Sequence, residues 1–205
     1  ERCNHDFEFY AITMQKIRDK LTGQNIPFRL NPPQRKILSE LEKQRKEERQ
    51  ININLLKSRQ VGGSTLLQMY MNWIQSKLKT NWNSLVCAHD LTAAVNIRSM
   101  YDEVIKQMPP LDGEKLTVAP FSGTKNIKII PERGCKITVG TAERPETVRS
   151  QDLKLVHFSE TAFYPATESN NPEMLEASII STVPKVPLTM IVRESTANGV
   201  GEYFY

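Results

Sequence analysis

The sequence predicts an α/β fold with a central, mostly parallel sheet that is flanked by helices. Beyond residue 50, short apolar runs alternate with stretches long enough for helices, which is the pattern of strands joined by crossover helices. Hydrophobic residues make up 39% of the chain and charged residues 24%, and no apolar run approaches the roughly 20 residues that a membrane span needs. We therefore expect about five core strands in a sheet covered on both faces.

The predicted elements follow one another in chain order. Apolar positions at helical spacing predict helices over residues 6–22 and 34–49, with the breaker-rich link PFRLNPPQ between them. The predicted strands are ININLLK, SLVCAHD, NIKIIP, CKITVG, LKLVHFS and PLTMIVRES, and the later helices lie in STLLQMYMNWIQSKL, in LTAAVNIRSMYDEVIKQM and from about Pro172 to Ser181. Ligands of such sheets bind at the carboxyl ends of the strands, so the residues after LLK, LVHF and MIVRE are the ones to inspect.

A chain of 205 residues fits one domain, which we divide into a helical N-terminal segment, residues 1–49, and a core, residues 50–205. Because the chain opens on Glu1 and stops on aromatic residues, we expect it to be an excised piece of a longer protein. Its three cysteines are far apart and form no CxxC pair, which indicates a reducing cytosol rather than a disulfide framework or a zinc site. The net charge of +4 permits contact with nucleic acid without requiring it.

The segment LLKSRQVGGST joins the first core strand to the next helix, where a phosphate-binding loop belongs. The usual pattern, G-x-x-x-x-G-K-[ST], cradles phosphates on backbone amides, neutralises them with a lysine and binds Mg²⁺ through a hydroxyl. Aligned on Gly62 and Ser64, this chain has Lys57 in place of the first glycine and Gly63 in place of the lysine. The long stem of Lys57 can reach across the loop to the same oxygens. The predicted nucleotide-binding residues here are Lys57, Ser58, Arg59, Gln60, Val61, Gly62, Gly63, Ser64 and Thr65. A Gly-Gly-Ser turn that only caps the helix is the alternative.

The segment LKLVHFSETAF has the form of a Walker B strand, an apolar run that ends in acidic residues. Ser159 stands where an aspartate is usual, and Glu160 follows it. The glutamate in this place polarises the attacking water, and the aspartate helps to hold Mg²⁺. We therefore predict Glu160 and Lys57 as catalytic residues and Ser64, Ser159 and Glu160 as the metal site, and a Glu160 that merely caps the following turn is the alternative.

Together, KSRQVGGST and SETAF resemble the phosphate loop and Walker B motif of large terminase subunits of tailed bacteriophages. The resemblance implies that Arg59 assists the γ-phosphate within its own subunit and that Gln34, in NPPQ, reads the adenine. It also implies that an arginine of TAERPETVRSQD, Arg149 or else Arg144, reaches the nucleotide of a neighbouring subunit. The coupling segment that senses the γ-phosphate would be Ser195, Thr196, Ala197, Asn198 and Gly199. A solvent-facing Gln34, an ordinary polar loop and exposed arginines without a catalytic part are the alternatives.

From this resemblance we expect an additional-strand (ASCE) P-loop ATPase domain that uses ATP and Mg²⁺ to move double-stranded viral DNA into a procapsid. The implied partners are DNA, a portal protein and a small terminase subunit, with the motor subunits in a homo-oligomeric ring in the cytoplasm of the infected bacterium. A nuclease domain would follow these residues, which carry no acidic cluster suited to a two-metal nuclease. A helicase-type or repair ATPase and a non-hydrolysing, nucleotide-dependent DNA-binding module are the rival interpretations.

Overall fold

The structure, a computed structural model, describes residues 1–19, 21–144, 152–167 and 171–199. Its helices are α1 (Phe7–Met14), α2 (Pro32–Lys46), α3 (Gly63–Trp73), α4 (Leu91–Gln107) and α5 (Pro172–Ile180), and α3 continues as a π-helical turn over Ile74–Leu78. Its strands are β1 (Lys16–Arg18), β2 (Asn25–Pro27), β3 (Ile51–Leu56), β4 (Ser84–Ala88), β5 (Ala119–Pro120), β6 (Ile127–Ile130), β7 (Cys135–Thr141), β8 (Leu155–Ser159) and β9 (Met190–Ser195).

Seven of these strands form one sheet in the order β3-β9-β8-β4-β7-β6-β5. The first five are mutually parallel, whereas β6 pairs antiparallel with β7 and β5 antiparallel with β6. The prediction of a mostly parallel sheet is therefore confirmed. The last strand in the chain, β9, lies between the strand before the glycine loop, β3, and the strand that ends in the acidic motif, β8. This insertion is the additional strand that the resemblance predicted.

Helices cover both faces of the sheet and form a hydrophobic core on each. Alternate residues of the central strands pack into one core or the other. On one face, Val86 and Ala88 of β4 pack in the cluster that contains residues of α1, α2, α3 and α4. On the other, Leu85 and Cys87 pack with Leu175 and other residues of α5. The central strands β4 and β8 are buried along their whole length, as their unbroken apolar runs predict.

The prediction of a continuous helix over residues 6–22 was wrong, so the N-terminal segment is not wholly helical. Helix α1 ends at Met14, and the chain then forms a hairpin of β1 and β2. Two features break the helix. The side chain of Gln15 turns into the core and donates a hydrogen bond to the carbonyl oxygen of Met69 at 2.9 Å. At the hairpin turn, the Asp19 carboxylate accepts a hydrogen bond from the Thr22 amide at 2.8 Å, and Gly23 takes a left-handed φ of 68°.

The described residues contain no helix that is both long enough and apolar enough to cross a membrane.

Candidate active site

The carboxyl ends of β3, β9 and β8 bring polar side chains together on one face of the sheet. In the strand register, Glu194 of β9 stands opposite Ser159 of β8 and opposite Leu55 of β3. Paired positions of parallel strands point to the same face, and so do positions two residues apart within a strand. Glu194, Ser159 and Lys57 therefore project to the same side, towards the start of α3.

Lys57 joins the glycine loop to the acidic strand. Its Nζ atom lies 2.7 Å from Glu160 Oε1 and 3.0 Å from Glu194 Oε2. The Lys57 side chain is 8% exposed, that of Glu160 is 23% exposed, and that of Glu194 is fully buried. The carboxylates of Glu160 and Glu194 thus share the Lys57 ammonium group. Lys57 and Glu160 are 103 positions apart in the chain.

The charges of this cluster are stabilised by one another. Burial alone would raise the pKa of Glu194, but the His157 imidazole and the Lys57 ammonium lower it to about 2. Burial alone would lower the pKa of Lys57, but the carboxylates of Glu194 and Glu160 raise it above its ordinary value. At neutral pH the lysine is therefore a cation and Glu194 a carboxylate, which is the state needed to bind phosphate and a divalent ion.

Two hydroxyl groups donate to the buried Glu194 carboxylate. Ser64 Oγ, in the first turn of α3, lies 2.5 Å from Glu194 Oε1, and Ser159 Oγ lies 3.0 Å from the same atom. The Nε2 atom of His157 lies 3.3 Å from it. Glu194 is therefore the centre of the cluster. Sequence reasoning did not assign Glu194 to the site, because its distance from Ser64 depends on where β9 enters the sheet.

Backbone conformation and neighbouring side chains favour glycine at positions 62 and 63 of the glycine loop. Gly62 has a φ of 75°, and a Cβ atom there would lie 2.6 Å from Gln34 Nε2. At Gly63, which occupies the usual lysine position, a Cβ atom would lie 3.1 Å from Cδ of Lys57. Glycine at position 63 thus leaves room for the displaced lysine to cross the loop. The positive end of the α3 dipole lies beside this crossing point.

Gln34 lines the cleft at the loop, although its amide group already has protein partners. Its Oε1 atom accepts a hydrogen bond from the Asn31 amide at 3.0 Å, and its Nε2 atom donates to the carbonyl oxygen of Gly62 at 2.9 Å. Asn31 Nδ2 donates to the carbonyl oxygen of Val61 at 3.1 Å. The start of α2 therefore supports the glycine loop, and adenine reading by Gln34 stays a prediction.

The acidic motif contacts the predicted coupling segment. Glu160 has a left-handed φ of 57°, which turns its side chain towards the loop and towards the end of β9. Its Oε2 atom accepts hydrogen bonds from the Thr196 amide at 3.0 Å and from Thr196 Oγ1 at 3.2 Å. Asn198 Nδ2 donates to the carbonyl oxygen of Ala162 at 2.9 Å, and the Ala162 amide donates to Ser195 Oγ at 3.2 Å. Glu160 is thus in direct contact with this segment through Thr196.

A cleft of about 1100 Å³ opens at the loop and extends beneath the N-terminal hairpin. It is lined on the loop side by Lys57, Gln60, Val61, Gly62, Ser64 and Thr65. Glu160 also lines it, and Ile17, Ile26 and Phe28 contribute apolar surface from the hairpin and its exit. The volume and the mixed lining suit a nucleotide-sized ligand.

The predicted arginines stand apart from this cleft or lie outside the described residues. Ser58 and Arg59 are exposed on the loop, and neither is among the described residues that line the cleft. Arg144 is exposed beyond the end of β7. Arg149 lies outside the described residues. The catalytic parts predicted for Arg59, Arg144 and Arg149 therefore stay predictions.

Comparison with known proteins shows which solved structures share this fold. No protein-family model matches the chain, and no curated protein does. Among solved structures, the large terminase of bacteriophage HK97 matches with a TM-score of 0.68 at 14% sequence identity, over 95% of this chain and 37% of that one. A Thermus phage large terminase ATPase domain, crystallised as a mutant, matches with a TM-score of 0.50 at 14% identity, over 87% of this chain and 74% of that one.

The chain has the fold of a phage large terminase ATPase domain. It spans little more than a third of the length of the HK97 terminase that it matches. At this identity the likeness to the terminases establishes the fold, and the chemistry must be argued from the residues of this chain.

The donor set at the start of α3 fits the Mg²⁺ that the sequence resemblance implies. Mg²⁺ prefers oxygen ligands, and here the Ser64 hydroxyl and the Glu194 carboxylate meet at the mouth of the phosphate loop. Glu194 Oε2, the other oxygen of this carboxylate, is buried and forms an ion pair with Lys57 Nζ at 3.0 Å. A buried carboxylate oxygen of this kind is suited to a cation or to a water molecule bound to one.

Proposed function

We propose that this chain is the ATP-hydrolysing motor domain of a viral DNA-packaging enzyme. The observation that carries the proposal is the ion pair of 2.7 Å between Lys57 Nζ and Glu160 Oε1. It joins a phosphate-type loop, between β3 and α3, to the acid that follows β8, the next strand but one in the sheet. These are the two parts that nucleotide hydrolysis needs. The likeness in fold to terminase ATPase domains supports the same interpretation.

In this proposal the loop residues bind the phosphates of ATP. The amides at the start of α3 and the Lys57 ammonium neutralise the phosphate oxygens, and the Ser64 hydroxyl holds Mg²⁺. Mg²⁺ supplies positive charge to the β- and γ-phosphate oxygens when it is bound. Arg59 and, from a neighbouring subunit, Arg149 or Arg144 would add charge to the transferring phosphoryl group.

Glu160 is proposed as the residue that orients the attacking water. Its carboxylate lines the cleft, keeps 23% of its side-chain surface exposed and is held by Lys57 and Thr196. Because Thr196 belongs to the proposed coupling segment, Ser195 to Gly199, a rearrangement at Glu160 passes into the end of β9. We infer that this contact links the state of the nucleotide to movement along double-stranded DNA.

The proposed setting is a homo-oligomeric ring of such subunits on a portal protein, assisted by a small terminase subunit, in the cytoplasm of the infected host. The packaging-motor interpretation rests on the terminase fold, and the hydrolytic interpretation rests on the residues of the site. A nuclease activity would belong to residues outside this chain.

The substitution Glu160→Gln tests the hydrolytic part of the proposal. The amide keeps the size of the side chain and can still contact Lys57 and Thr196, but it loses the charge that orients and deprotonates water. We expect nucleotide affinity to be retained and turnover to fall by about 10²-fold or more, since a positioned general base contributes roughly 10² to 10⁴. Calorimetry and phosphate release on one preparation measure the two quantities. Retained turnover would remove Glu160 from the mechanism.

A further inference from the structure

We propose that Glu194, at the end of the inserted strand β9, supplies the carboxylate that positions Ser64 for Mg²⁺, in place of the acid that is missing at Ser159. The assignment rests on the proposed function and names a residue of that site which the sequence motifs do not contain. It makes Glu194 a positioning residue, because it acts through the Ser64 hydroxyl.

The hydrogen bond from Ser64 is the first support for this assignment. Ser64 Oγ donates its single hydrogen to Glu194 Oε1 at 2.5 Å, a distance typical of a strong hydrogen bond to a carboxylate. A hydroxyl oriented in this way keeps the lone pairs of its oxygen free for a cation. The carboxylate therefore fixes the direction in which Ser64 presents its oxygen.

The register of the sheet explains how a residue of β9 can replace one of β8. Ser159 and Glu194 are partners in the parallel ladder, and Ser159 Oγ donates to Glu194 Oε1 at 3.0 Å. Neighbouring strands lie about 4.8 Å apart, and a glutamate side chain is one methylene longer than an aspartate. Glu194 on β9, with its longer side chain, can thus accept the hydrogen bond of Ser64 that an aspartate at position 159 of β8 would otherwise accept.

The charge balance of the cluster favours a cation beside Glu194. Glu160 and Glu194 together carry two negative charges, and Lys57 supplies one positive charge between them. When the Lys57 ammonium turns to phosphate oxygens, the fully buried Glu194 has to share this ammonium partner with them. The His157 Nε2 atom, 3.3 Å from Glu194 Oε1, stays beside the carboxylate. Sharing an ammonium partner destabilises a buried carboxylate, and a divalent ion at Ser64 would restore the balance.

The test measures how strongly Mg²⁺ tightens the binding of a non-hydrolysable ATP analogue, by calorimetry with Mg²⁺ and with EDTA. For wild type, Mg²⁺ should tighten binding. For Glu194→Gln, we expect the Mg²⁺-dependent gain to shrink by about 10- to 100-fold, the usual cost of losing a residue that orients a metal ligand, while metal-free affinity does not weaken. A purely structural Glu194 would instead change both affinities by the same factor and leave the gain intact, which would overturn the assignment.

Glu176→Gln is the matched control, because Glu176 is a buried carboxylate paired with Arg193 on the opposite face of the sheet. It should leave the Mg²⁺-dependent gain at the wild-type value. If Glu194→Gln does not fold, the double variant Ser159→Asp with Glu194→Gln returns the carboxylate to β8 and should keep the gain, and its loss there would equally overturn the assignment. A wild-type chain that binds no nucleotide in either condition would overturn the proposed function itself.

Discussion

Consecutive residues of β9 take part in two buried ion pairs on opposite faces of the sheet. Arg193 points towards α5, where its Nε atom lies 2.5 Å from Glu176 Oε2. Its guanidinium also donates to Asn52 Oδ1 and Asn54 Oδ1 on β3, both at 3.3 Å. Glu194 points the other way, towards Lys57 at 3.0 Å. Each pair buries a carboxylate almost completely, so burial and charge pairing alone do not distinguish them.

The surroundings of the two pairs differ, and that difference separates a structural pair from a chemical one. The partners of Arg193 are fixed by the sheet and by α5, which packs in the core of that face. Glu194 instead receives two hydroxyl groups and shares Lys57 with Glu160, and both Lys57 and Glu160 line an open cleft beside a glycine loop. A polar cluster is therefore a better candidate site when some of its partners can turn to a ligand.

The largest expected effect on the site face is that of Lys57→Ala. We expect turnover to fall at least about 10³-fold, the upper end of what one preorganised charge contributes, because the loop loses its cation. The variant should also be less stable by up to about 3–5 kcal/mol, since the buried Glu194 carboxylate loses its ammonium partner. Phosphate release and urea unfolding measure the two effects.

A double variant separates these two losses. Adding Glu194→Gln to Lys57→Ala removes the unpaired charge, so stability should recover while turnover stays near background. Recovery of turnover together with stability would show that Lys57 acts only by neutralising Glu194, and the phosphate-binding part assigned to it would be wrong.

A smaller effect is expected at Ser159. Its hydroxyl contributes one hydrogen bond of 3.0 Å to Glu194, and such a bond to a charged group is worth about 1.5–3 kcal/mol. The hydrogen bond from Ser64 to Glu194 remains in Ser159→Ala. We therefore expect this variant to lower turnover by roughly tenfold or less at saturating Mg²⁺. A loss as large as that of Lys57→Ala would indicate that Ser159, and not Glu194, is the main support of the metal site.

The smallest effect on turnover is expected from Glu176→Gln, on the structural face. This change breaks the pair with Arg193, whose side chain is 22% exposed. We expect a loss of about 1–3 kcal/mol in the free energy of unfolding, less than for a fully buried pair, with turnover within about twofold of wild type. A strong loss of turnover in a folded variant would mean that the two faces of β9 are coupled.

Much of this fold follows from the sequence, because local patterns determine most of its elements. The apolar runs of β4 and β8 predict strands buried on both faces, and the structure has them. The glycine loop and Glu160 were each predicted at the carboxyl end of a strand. Because parallel strands end at the same edge of a sheet, the contact between Lys57 and Glu160 follows from these predictions.

The features that sequence reasoning missed depend on contacts between distant residues. The central position of Glu194 requires β9 to insert between β3 and β8, which chain order does not specify. The hairpin after α1 was missed because Ile12, Ile17 and Leu21 have spacings that resemble a helix. Leu21 is 96% exposed and therefore does not belong to the buried face of a helix. The local sequence feature that predicts the hairpin turn is Asp19 followed by Gly23.

The central claim is that this chain hydrolyses ATP and that double-stranded DNA engages the same motor. The most direct measurement is phosphate release from ATP and Mg²⁺ by the wild-type chain at high protein concentration, with and without double-stranded DNA. Our account predicts release that depends on Mg²⁺ and increases when DNA is added. A folded chain that binds nucleotide but releases no phosphate in either condition would contradict the account and would identify a nucleotide-dependent binding module instead.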